Sequence, residues 1–214
     1  TQSTLAGGNN ALTITGAANI GGAYTGLSSL SVSGTTNLAA NVTTTSTQSY
    51  SDTVTVSGGS RTLSGSGLSL TAVDLGSNTL TASESGTGTI SGVIAGTGAL
   101  TKSGAGTLIL GGTNTFEGGV TVNAGTLKVS ADRNLGAVPG SVDADALTLN
   151  GGTLQVTADT ILASNRGITL GSSGGTFSID PTAPARLACM SEYPGIAVLR
   201  IPVRSVWAPR LSPL

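Results

Sequence analysis

Residues 96–130 read GTGALTKSGAGTLILGGTNTFEGGVTVNAGTLKVS and contain one short unit twice. Leu100-Thr101-Lys102 is followed by Ser-Gly-Ala-Gly and then by Thr107-Leu108-Ile109-Leu110. Val120-Thr121-Val122 is followed by Asn-Ala-Gly and then by Thr126-Leu127-Lys128-Val129. Each copy is a limb of period 2, a glycine-bearing corner and a second limb of period 2, which is strand chemistry. Aliphatic residues fall on one side of each limb and Thr on the other, as a pleated backbone requires. The expected core set is Leu100, Leu108, Leu110, Val120, Val122, Leu127 and Val129, with Gly104, Gly106, Gly118, Gly119 and Gly125 at the corners.

The unit recurs on both sides of this stretch. First limbs begin at Leu12, Leu30, Val54, Leu80, Leu100, Val120, Leu147 and Ile168. Second limbs follow at Ile20, Leu38, Leu63, Ile90, Leu108, Leu127, Leu154 and Phe177. Neighbouring first limbs lie 18 to 27 residues apart, a period that indicates a solenoid. The limbs are too short for helices, and a corner joins them. The expected fold is all-β, a right-handed parallel β-helix of about eight rungs. At about 4.8 Å per rung the rod is roughly 38 Å long. A β-sandwich is the structural rival. Aromatic content of 3% and corners that repeat in step favour the solenoid.

The 214 residues suffice for one sizeable domain. Residues 1–180 carry the repeat and form the expected stem. Residues 181–214 form a Pro/Arg-rich tail without it, holding six of the seven prolines and four arginines. Proline cannot donate to a ladder, so the tail is not expected to continue the coils. It reads either as a linker or small cap, or as the product of a frame shift in the coding DNA. Its change of composition favours the frame shift. The chain starts at Thr1 with no basic, apolar leader, the mark of a fragment or processed product.

Only 9% of residues are charged, the net charge is -1 and histidine is absent. No basic patch exists to neutralise phosphates, which disfavours a nucleic-acid partner. The lack of histidine removes Ser-His-Asp and Cys-His machinery and the commonest metal ligand. Cys189 is alone, so no internal disulfide forms. No run reaches the roughly 18 apolar residues of a membrane helix. No cofactor is expected.

Asp143 and Asp145 are the two acids of interest. Two apart on an extended segment, they point the same way and are weak candidates for a Ca²⁺ site or a glycosidase pair. The plainer reading is a solvated loop. Asp52, Asp74, Glu84, Glu117, Asp132 and Arg133 stand singly at expected corners and read as surface solubilisers. Gly171-Ser172-Ser173-Gly174-Gly175 fits G-x-S-x-G but joins two strands, so it is a corner and not a nucleophile elbow.

The words Leu100 to Leu108, Asn114-Thr115-Phe116-Glu117-Gly118-Gly119 and Val120 to Leu127 resemble the autotransporter-associated β-strand repeat, found in passenger domains of Gram-negative type V secreted proteins. That family more often has Tyr where Phe116 stands. Residues 141–180 match half of the repeat. Residues 1–90 resemble the looser Ser/Thr-rich β-helix of large adhesins, and residues 181–214 do not match. The resemblance implies a passenger stem carried through the outer membrane by a translocator barrel that this chain lacks. It would then be displayed on the cell surface or released. The repeat would aid folding and export rather than catalysis, and self-association or host-cell contact would fall to the exposed Thr/Ser surface. A carbohydrate- or cell-binding module is the alternative, and a polysaccharide lyase or glycosidase a third reading. Against the last, only Lys102 and Lys128 lie in the regular repeats as cationic partners for scattered acids.

Overall fold

A computed structural model describes residues 4–180 and the backbone of two short strands, Leu187–Cys189 and Arg200–Ile201. The expected behaviour of the rest of the tail lies outside the described residues. The chain winds into a parallel β-solenoid of about nine coils. Every pairing in its 19-stranded sheet is parallel, each strand stacking on its counterpart in the next coil. Sandwiches are built from antiparallel sheets, so the parallel ladder removes that rival.

Three faces enclose the core. On the first, the inward column runs Leu5, Tyr24, Val42, Leu63, Ala82, Lys102, Val122 and Leu149, and exposed Leu170 continues the stack in the last coil. On the second, Leu12, Leu30, Gln48 and Leu68 stack, as do Leu108, Leu127, Leu154 and Phe177 further along. On the third, Ile20, Leu38 and Val56 form one column and Thr36, Val54, Val73 and Ile94 another. Alternation therefore becomes burial, as in Leu80–Glu84, whose residues are by turns buried and half-buried.

The coil count exceeds the expected eight by one. The additional coil passes through Thr47–Val56, one ten-residue strand that serves two faces in succession. Gln48 and Tyr50 stack on Leu30 and Val32, while Val54 and Val56 stack on Thr36 and Leu38. A glutamine stands where an aliphatic marker was needed, so the periodicity steps over this limb. Leu12 and Leu30 consequently share a face with Leu108 and Leu127, not with Leu100 and Val120.

The parallel stack also crosses residue 180. Leu187–Cys189 pairs in parallel with Thr160–Leu162, and Arg200–Ile201 then pairs antiparallel with Leu187–Cys189. These three residues lie beyond the expected stem boundary at residue 180. They fall between the prolines at 184 and 194 and have free N–H groups to donate.

Candidate functional site

The regular repeat forms coils six and seven. Leu100–Lys102 pairs with Val120–Val122 on the first face, and Thr107–Leu110 with Thr126–Val129 on the second. Leu100, Leu108, Leu110, Val120, Val122, Leu127 and Val129 are all buried. The intervening Thr residues face outward. Thr62, Thr81, Thr101, Thr121, Thr148 and Thr169 make one unbroken six-coil ladder. Gly104, Gly106 and Gly118 lie so close against the backbone of the preceding coil that a Cβ would overlap Glu84, Gly86 and Gly98 respectively. Gly125 adds a φ of +66°, and Gly119 one of +75°.

The third face of the repeat contains no strand, and asparagine replaces it. Asn114 Oδ1 accepts from the Ile94 N–H at 2.9 Å, and its Nδ2 donates to Asn134 O at 2.6 Å. Asn134 in turn donates to Gly112 O at 2.8 Å and accepts from the N–H groups of Ser130 and Ala131. These buried amides satisfy the backbone where ladder bonds are missing. Phe116 and Leu135 fill the core beside them. The spacing of 20 between the two asparagines, equal to one coil, is the signal that marks them in the sequence.

Glu84 overturns the expectation of a surface place. Glu84 and Lys102 are both fully buried, with Lys102 Nζ 3.0 Å from Glu84 Oε1. Lys102 Nζ also donates to Gly104 O. The Glu84 contact is an ion pair without hydrogen-bond alignment: neither carboxylate oxygen has an aligned donor. Parity holds the clue, since Leu80-Thr-Ala-Ser-Glu84 and Leu100-Thr-Lys102 put the charges on the aliphatic side. Asp132 is the second correction. It is half-buried and holds the guanidinium of buried Arg166, Nε to Oδ1 at 2.8 Å. The same guanidinium donates to Leu135 O, Gly136 O and Ala137 O, tying the 3₁₀ turn Asp132–Leu135 to the last coil. Asp52, Asp74, Glu117 and Arg133 are exposed.

Asp143 and Asp145 are exposed on Asp143–Leu149, where Asp143 Oδ1 accepts from the Asp145 N–H at 3.0 Å. Asp143, Glu117 and the segment 137–140 line a cavity of about 330 Å³ that Asp145 does not reach. Among the described residues, no three His, Cys, Asp or Glu side chains converge as metal ligands. A further cluster lies wholly inside the solenoid. Gln48 Nε2 donates to Ser64 O at 2.7 Å, and the Tyr50 hydroxyl donates to Gln48 Oε1 at 3.0 Å. Burial, with a smaller contribution from Tyr24, pushes the Tyr50 phenol well above its ordinary value.

Fold and site together define a parallel β-solenoid whose organised chemistry points into its core. Residues 100–129 match the family model described as passenger-associated-transport-repeat, and this stretch is an autotransporter passenger repeat. The chain is also similar to the "Adhesin BmaC autotransporter" of Brucella suis biovar 1 (strain 1330), 31% identical over 78 residues. The similarity covers 36% of this chain and 2% of that much longer protein. No solved structure matches the chain.

Proposed function

We propose that this chain is a stem segment of an autotransporter passenger, a rigid spacer whose repeat supports folding and export. The observation that carries this reading is the continuity of the ladder. The passenger repeat occupies coils six and seven and is stacked without a break between the looser coils on either side. One coil cannot bury its own apolar face, so the regular middle coils template their neighbours. Its partner is an outer-membrane translocator barrel, and its place is the cell surface or the medium. No helix among the described residues is long and apolar enough to cross a membrane, which leaves β-barrels untouched. Contact with host or neighbouring cells falls to the outer Thr/Ser surface.

The test places the chain between an export signal and a translocator barrel and measures protease-resistant material on the cell surface. Excision of residues 100–129 is expected to abolish the resistant product. Alanine at Asp143 and Asp145 leaves it unchanged. Equal yield of resistant surface protein without residues 100–129 refutes the proposal. Glycan-array binding by the intact chain would instead establish a carbohydrate-binding module.

A further inference from the structure

The Glu84–Lys102 pair spans the joint between coil five and coil six, where the regular repeat begins. Its surroundings are fitted to it. Ala82 stands in a column otherwise filled by Leu63 below and Lys102 above. Gly88 stands where Leu108 and Leu127 stand in the next two coils, and a Cβ there would lie 3.2 Å from Leu108 Cδ1 and 3.3 Å from Glu84 Cγ. Two positions of the apolar lattice are thus emptied to admit two charges. Apolar residues of similar volume in place of a buried ion pair are often as stable or more so, so the arrangement calls for a reason other than stability.

A solenoid that grows coil by coil always has an open end. That end offers unpaired backbone and an apolar floor to any strand that arrives. Inward-pointing charges are a known means of blunting such an edge. While coil five is the end, Glu84 remains hydrated there. An apolar strand that covers it strands a carboxylate in the core. If coil seven docked in place of coil six, Val122 would take the place of Lys102 and offer Glu84 no cation. Lys102 has the mirror effect at the open underside of coil six. We propose that Glu84 and Lys102 are matched guard charges, each rejecting incorrect strand addition at a half-built solenoid and both cancelled only when coil six docks on coil five. The inference does not depend on where the stem is displayed.

The experiment refolds the full chain from denaturant over a range of protein concentrations around 10 µM, where exposed edges aggregate. It compares the wild type with Glu84→Met/Lys102→Met and with the exchanged pair Glu84→Lys/Lys102→Glu. The methionine pair is expected to melt at or above the wild-type temperature, yet to yield several-fold less monomer, with a loss that steepens with concentration. The exchanged pair keeps the complementarity and is expected to restore the monomer yield. A purely structural pair would lower melting temperature and yield together. The proposal is overturned if the methionine pair refolds as cleanly as the wild type, or if it loses melting temperature and yield in parallel while the exchanged pair fails to restore the yield.

Discussion

Gly106 separates two reasons for a glycine at a corner. Its φ is not positive, so conformational freedom is not the constraint. A Cβ on Gly106 would lie 2.7 Å from Gly86 N and closer still to Gly86 O in the coil beneath. An ordinary contact begins near 3.4 Å. The corner of coil six must therefore lift by more than an ångström, or slide. Two bonds hold it down: the Gly106 N–H to Glu84 O at 2.9 Å and the Thr107 N–H to Gly86 O at 2.8 Å. Weakening both costs about 1–3 kcal/mol, and overpacking adds about 1–3 kcal/mol. For Gly106→Ala we expect a loss of about 2–6 kcal/mol, a fall in Tm of roughly 4–24 °C for a chain of this size. Two comparison variants complete the assay by thermal circular dichroism. Gly16→Ala has open space around it but a φ of +101°, so it tests backbone strain alone, about 1–3 kcal/mol. Gly140→Ala has neither constraint and should stay within about 0.5 kcal/mol of the wild type. If Gly106→Ala melts with Gly140→Ala, stacking contact does not dictate glycine at this corner.

Leu108 is buried between Gly88 and Leu127, and Leu108→Asp puts a carboxylate there without a partner, so cooperative melting should be lost. An unchanged Tm contradicts the core assignment. Tyr50 titrates higher in the folded than in the unfolded chain, so its stabilisation is fully present below pH 10 and declines as pH rises above that value. Tyr50→Phe, measured by denaturant midpoint against pH, should cost about 1–3 kcal/mol at neutral pH for the unpaired Gln48 Oε1, and should flatten the alkaline decline. Arg166→Met strands the Asp132 carboxylate and three carbonyls, and a loss of about 3–5 kcal/mol in chemical denaturation is expected.

Limbs and corners were legible because period 2 and glycine spacing are local signals. Leu100, Leu108, Val120 and Leu127 need no knowledge of the rest of the chain to be set on one side of a pleat. The coil through Gln48 and Tyr50 was not legible, because its inward position is occupied by a polar side chain. What makes Gln48 tolerable is the Ser64 carbonyl, one coil away. Glu84 was misread as a surface solubiliser because a charge in an alternating segment is ordinarily solvated, and its partner is Lys102. Only the partner, 18 residues distant, reverses that rule. The Asp132–Arg166 contact spans 34 residues, so no local spacing announces it. Asp143 and Asp145 show the opposite limit. Their spacing on an extended segment was legible, but whether other ligands converge on them depends on residues in different coils.

The one-directional winding has a mechanical consequence. From Leu100 to Val120 the chain spends 20 residues to climb a single ladder step. That step is about 4.8 Å, whereas 20 residues drawn taut reach roughly 66 Å. Each coil is thus a folded reserve of more than ten times its own height. A stem pulled from both ends would pay out in discrete lengths, one coil at a time. It would hold its tether through a stretch that snaps a linker of the same initial length.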